Sequence, residues 1–115
     1  MTWYLKTEDE MRCICEEGKQ QLPAINDEET LMNMAEMFKA LGDSTRLEIL
    51  SLLLMEDLCK CEIVSALSLP NSTVSHHLKI MEKGGVIIGR REGKYTIYRL
   101  CEERVESIIT FLRRQ

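Results

Sequence analysis

The sequence predicts a mainly α-helical domain that carries one β-hairpin. Apolar residues follow helical spacing over 28–41 and again over 101–114. Two short helical stretches, 60–67 and 71–83, are separated only by Leu69-Pro70-Asn71. Val86 to Arg91 and Lys94 to Leu100 are rich in β-branched and aromatic residues and flank Glu92-Gly93, which reads as a tight turn.

At 115 residues the chain reads as one domain spanning 1–115. Its 44% hydrophobic and 30% charged residues are the balance of an ordinary globular protein. A domain of this size buries roughly two-thirds of its unfolded surface, so pairing with a second copy would help it. The longest apolar run, Ile49 to Met55 broken by Ser51, is too short to span a bilayer. Residues 1–20 carry acids throughout and no apolar signal-peptide core. A soluble, cytoplasmic chain without a membrane association is the expectation.

Residues 1–27 form an N-terminal arm, with Trp3, Tyr4, Leu5, Met11 and Ile14 as candidate packing residues and a helix expected over about 7–19. Gly18 and Pro23 bracket a break. From Glu28 to Leu41, the residues Leu31, Met34, Ala35, Met37, Phe38 and Leu41 mark a helix that Gly42 ends. Asp43 or Ser44 caps the next helix, about 44–56, which is apolar nearly all round and should lie at the centre of the core. Met32, Met34, Met37 and Met55 read as core packing by flexible thioethers rather than as a soft-metal site. In the helix 71–83, capped by Asn71 or Ser72, Val74, Leu78 and Met81 make the buried stripe. At the end of the chain Val105, Ile108, Ile109 and Leu112 form a narrow stripe suited to a partner helix, hence to dimerisation.

Charge is distributed unevenly. Residues 1–62 hold 6 Lys/Arg against 14 Asp/Glu, a net of −8, whereas residues 71–99 hold 6 against 2, a net of +4. A basic segment on one surface can bind a polyanion even when the whole chain is acidic. Two short helices and a basic hairpin in that order make a winged helix-turn-helix, with 60–83 as the helix-turn-helix and 86–100 as the wing. The major groove of B-DNA admits one α-helix whose outward face carries small polar side chains. With Val74, Leu78 and Met81 buried, Ser72, Thr73, Ser75, His76, His77 and Lys79 face outward. Ser72 and Thr73 meet phosphates at the helix start, and Ser75, His76 and Lys79 reach base edges. Arg90, Arg91 and Lys94 of the wing follow phosphates or enter a neighbouring minor groove. Adjacent histidines point about 100° apart, so His76-His77 is no metal pair.

Five cysteines are many for such a chain. Four form two C-x-C pairs, Cys13/Cys15 and Cys59/Cys61, and Cys101 stands alone. Without an export signal, clustered thiols favour metal or redox chemistry over a disulfide framework. Thiolates select thiophilic ions such as Cd²⁺, Pb²⁺, Zn²⁺ or As(III). Cys59 and Cys61 begin a helix, where free N–H groups are expected to lower the thiol pKa. Residues two apart diverge by about 200° in mid-helix, but near the first turn both can face one ion. Two sulfurs alone make a weak site. Cys13 and Cys15 are the best further donors, then Cys101. No Gly-rich phosphate loop, Ser/His/Asp set or apolar carboxylate pair is present, so the chain is not an enzyme.

Ala40-Leu41-Gly42-Asp43-Ser44-Thr45-Arg46-Leu47-Glu48-Ile49-Leu50 resembles the segment that opens the core helix of ArsR/SmtB-type repressors. Ser72 to Lys79 resembles their recognition helix, and Arg90 through Tyr98 their wing. The resemblance covers about 28–112 and implies a homodimer that binds double-stranded, palindromic operator DNA and loses affinity when an inducer binds. Asp57-Leu58-Cys59-Lys60-Cys61-Glu62-Ile63 looks like the cysteine motif of arsenic-, cadmium- and lead-responsive members. With Cys13 and Cys15 added, the closest resemblance is to the cadmium/lead-sensing CadC-type branch, which implies that N-terminal thiolates of one subunit join the core pair of the other. That branch spaces its N-terminal pair more widely. Glu102, Glu103 and Glu106 are followed by no histidine, so a second, C-terminal zinc site is not expected. The alternative reading of the same cysteines is a redox-responsive regulator.

Overall fold

The structure is a computed structural model that describes residues 3–115. The chain divides into two compact units, Met1–Asn33 and Met34–Gln115.

In the first unit, helix α1 spans Glu8–Gln21. Its start is a capping box: the Glu10 backbone N–H donates to Thr7 Oγ1 at 3.1 Å, and the Thr7 N–H donates to Glu10 Oε1 at 3.4 Å. The break that Gly18 and Pro23 bracket falls at Leu22, the C-cap of α1. A single glycine costs a helix about 1 kcal/mol without ending it, and α1 runs on to Gln21 before a 3₁₀ turn at Pro23–Asn26. Every residue of α1 is exposed. Trp3, Tyr4, Leu5, Met11 and Ile14, expected to pack, lie in solvent instead, because Met11 and Ile14 alone make too little of a stripe to bury.

Helix α2 spans Glu28–Leu41, the bounds read from its apolar spacing. Asp43 caps helix α3, Ser44–Met55, by accepting from the Thr45 and Arg46 N–H groups. Only one side of α3 is core: Ile49, Leu50 and Leu53 are buried, whereas Leu47 and Met55 are exposed. Uniform apolarity therefore overstated its burial. Of the four methionines expected in the core, Met37 packs against it while Met32 and Met55 are exposed. Among the described residues, the fully buried methionine is Met81.

A two-residue strand, β1 at Leu58–Cys59, leads into helix α4, Lys60–Leu67. Ser68 closes α4 in the left-handed conformation (φ 53°), and the turn at Leu69-Pro70 starts helix α5, Asn71–Lys83. Pro70 is the N-cap, so α5 begins one residue earlier than an Asn71 cap would place it and two earlier than a Ser72 cap. Val74, Leu78 and Met81 are its buried face, as their spacing predicts. The chain leaves α5 through Gly84, where a Cβ would stand 2.6 Å from both Ala40 Cβ and the Glu36 carbonyl oxygen. Only glycine lets α5 end this close to α2.

Strands β2 (Ile87–Glu92) and β3 (Tyr95–Leu100) form the hairpin. Glu92 pairs with Tyr95, so the turn is Gly93-Lys94 rather than Glu92-Gly93. Gly93 takes φ +60° at the first central position, which a two-residue hairpin loop requires. β1 adds to the other edge of β3, giving an antiparallel sheet in the order β1-β3-β2. Helix α6, Glu102–Arg113, closes the fold. Val105 and Ile109 are buried in this chain's own core, with Ile108 and Leu112 packed against it. The stripe read as a dimerisation face is thus mainly internal, because α6 lies back on the core of its own unit; Phe111 is the exposed apolar residue of that helix.

Candidate functional site

Burial of Val74, Leu78 and Met81 turns Ser72, His76 and Lys79 to solvent, with Thr73 and Ser75 half-buried beside them. The Ser75 hydroxyl reaches back to Asn71 Oδ1 at 3.4 Å. His77 departs from the expected outward set. It turns toward α3, where Arg46 Nη1 lies 3.0 Å from its Nδ1 and Asp43 Oδ2 lies 3.8 Å away. Position 77 falls beside the buried Val74–Leu78 edge of α5, so its ring is drawn into the packing.

Arg46 is the buried charge among the described residues, 8% exposed. Its Nη2 donates to the Lys39 carbonyl at 2.9 Å, while its Nε has no protein partner. One guanidinium therefore ties the end of α2 to α3 and α5. The Arg46 backbone N–H, helped by its guanidinium and by the Thr45 N–H, holds the Asp43 carboxyl below its ordinary value against a smaller effect of burial.

In the wing, Arg91 and Lys94 are exposed at the tip. Arg91 reaches Thr96 Oγ1 and the Gly93 carbonyl, both at 3.4 Å, and the Lys94 ammonium lies 5.5 Å from the Tyr95 ring centre. Arg90, expected to be free for phosphate, already has two partners. Its Nη1 is 3.0 Å from Asp57 Oδ2 and its Nε is 3.1 Å from Glu92 Oε1.

Cys59 and Cys61 come together. Cys59 is the extended N-cap of α4 (φ −83°, ψ 164°) and Cys61 lies in the first turn, which brings their sulfurs to 2.6 Å. The pair opens into a cleft of about 220 Å³ shared with Lys60, Arg91, Lys94 and Tyr98. The expected lowering of the thiol pKa is reversed for Cys59: its hydrogen bond with the Cys61 sulfur, together with burial, pushes it up. The start of α4 is also taken by Glu62, whose carboxylate accepts the Cys59 N–H at 2.9 Å. Cys13 and Cys15 are exposed within regular helix, so they point about 200° apart and one ion can take only one of them. Cys101 is buried at the start of α6, and burial pushes its thiol up. Among the described residues of one chain, no three His, Cys, Asp or Glu side chains converge as a metal site.

Sequence reasoning missed β1, the Asp57–Arg90 pair and the Arg46–His77 contact. A two-residue strand leaves no periodicity. The one visible signal was Arg46, the single cation of a largely apolar helix.

Residues 43–88 match the family model for bacterial regulatory proteins of the arsR family. An uncharacterized HTH-type transcriptional regulator of Methanocaldococcus jannaschii is 46% identical over 76 residues, 65% of this chain and 85% of that protein. The chain belongs to the ArsR family. This places it among transcriptional regulators and not enzymes. Another relative, the cadmium resistance transcriptional regulatory protein CadC homolog of Staphylococcus aureus, is 37% identical over 79 residues, 68% of this chain and 65% of that one. In three dimensions the chain is similar to the homodimeric winged helix-turn-helix DNA-binding domain of a possible ArsR-family regulator from Mycobacterium bovis. That likeness has a TM-score of 0.68 at 30% identity and covers 75% of this chain and 80% of that one. As an ArsR-family chain it has the winged helix-turn-helix that its sequence predicts, with no helix among the described residues long and apolar enough to cross a membrane.

Proposed function

We propose that this ArsR-family chain is a homodimeric repressor that leaves its operator when Cys59 and Cys61 bind a thiophilic ion, Cd²⁺, Pb²⁺, Zn²⁺ or As(III). The observation that carries the reading is the 2.6 Å approach of the two sulfurs beside the reading head. The likeness to a CadC homolog supports it. Cys59 and Cys61 supply two donors, and a thiophilic ion held tightly needs a third or fourth. Cys13 or Cys15 of a second copy is the proposed source. Each thiol gives up its proton on binding, so ion uptake releases protons.

Ser72, Thr73, Ser75, His76 and Lys79 are the proposed groove contacts, with Arg91 and Lys94 on flanking phosphates. His77 holds α5 against α3. An inducer that binds the weakly DNA-binding conformation more tightly must, by reciprocity, weaken DNA binding. A coupling of about 3–4 kcal/mol gives a drop of a few hundred-fold.

Fluorescence anisotropy of labelled operator, titrated with each ion, tests the reading. Release by at least one ion, lost in Cys59→Ser and Cys61→Ser, is expected; if no ion releases the DNA, the reading fails. The same sulfur proximity favours one rival, oxidation of the thiols. Release by peroxide under chelation, reversed by dithiothreitol, would assign the switch to redox chemistry instead.

A further inference from the structure

We infer that Asp57 is a built-in competitor for operator phosphate: its carboxylate holds Arg90 of the wing, and the thiol segment that follows it governs the release of that arginine. The sheet register puts these groups in one place. Ile97 of β3 pairs with Cys59 on one side and with Arg90 on the other. Cys59, Ile97 and Arg90 therefore form one row across the sheet, and paired residues in a row share a face. Asp57 stands two residues before Cys59, and its Oδ2 crosses to Arg90 Nη1 at 3.0 Å.

The charge balance explains why this contact opposes DNA. Arg90 lies between Asp57 and Glu92, so one positive charge is surrounded by two negative ones. The cluster nets −1 in a hairpin that is otherwise basic through Arg91, Lys94 and Arg99. A phosphate approaching the wing meets a guanidinium already spoken for. The pair is also weak enough to open, because the Arg90 and Asp57 side chains are 42% and 45% exposed and such pairs contribute little in water. Asp57 is thus a positioning residue that acts through Arg90. In this structure the thiols are free and the pair is closed. Operator binding opens it in only part of the complexes, and an occupied Cys59–Cys61 site, by fixing the segment that carries Asp57, keeps it closed.

The last clause rests on the inducer reading proposed above; the competition for Arg90 does not. Operator affinity is measured against salt concentration, without inducer, for the wild type, Asp57→Asn, Arg90→Gln and the double variant. Asp57→Asn is expected to tighten binding about two- to fivefold. It should also steepen the log–log salt slope, by at most about 0.9, because the freed arginine then neutralises its phosphate in every complex rather than in some. Asp57→Glu should return the wild-type slope, and in the Arg90→Gln background the Asp57 substitution should do nothing. An unchanged or shallower slope in Asp57→Asn, or the same steepening without Arg90, overturns the proposal, and the Arg90→Gln comparison decides it even if one variant folds poorly. The link to the thiols is read separately. With an ion that releases the wild type, Asp57→Asn should show a smaller loss of affinity. Equal loss in both overturns the link and leaves the competition standing, and failure of every ion on the wild type overturns the inducer reading and the link together.

Discussion

Arg46 and His77, 31 positions apart, meet at 3.0 Å between α3 and α5. The same guanidinium donates to the Lys39 carbonyl, so the orientation of the proposed recognition helix depends on a buried cation. Arg46→Ala leaves a ring nitrogen and a carbonyl without their donor. We expect a loss of about 1–3 kcal/mol in urea unfolding, accompanied by weaker operator binding in the fraction that stays folded.

Two neighbours on α5 should behave differently. Lys79 is exposed on the outward face, and Lys79→Ala is expected to cost about 1–3 kcal/mol of operator binding while leaving stability unchanged. His77→Ala should do the reverse, lowering the melting temperature first. Competition with an unrelated duplex checks the assignment: if Lys79 reads bases, preference for the operator falls with affinity.

The Asp43 carboxylate caps α3 and is held below its ordinary pKa mainly by the Arg46 N–H. A group whose folded pKa is depressed stabilises the fold above its unfolded value, about 3.9, and that stabilisation is lost as pH falls through the folded value. Asn also caps helices but carries no charge. The wild type should therefore melt above Asp43→Asn at pH 5–7, and the gap should close as pH falls below about 4. Thermal melts of both proteins across pH 3–7 measure it.

At Gly84 the obstacle to a side chain is the Glu36 backbone carbonyl, 2.6 Å from the added carbon. Backbone cannot swing aside as a flexible side chain can. Gly84→Ala should lose about 1–3 kcal/mol by overpacking; a neutral result in chemical unfolding would mean that α2 and α5 separate easily.

Much of this architecture was legible because its signals are local and periodic. The bounds of α2 and α4, the buried stripe of α5 and the existence of the hairpin all follow from spacing. What spacing cannot report is the partner of a face. Val105 and Ile109 formed a stripe, but only the tertiary fold shows that it covers this chain's own core. The thiol pair was readable because Cys59 and Cys61 are two apart at a helix start. The rise in the Cys59 pKa was not, because it depends on a hydrogen bond between side chains and on burial. Arg90 looked like a free cation for a similar reason: its partner Asp57 is 33 positions away.

Cys101 sits where β3 passes into α6, sealed from solvent at 6% exposure. Cys13, Cys15 and Cys61 are open to reagents. A maleimide dye would therefore label those three early, and slow labelling at Cys101 would report how often the seam between hairpin and terminal helix parts. The molecule carries its own clock for breathing.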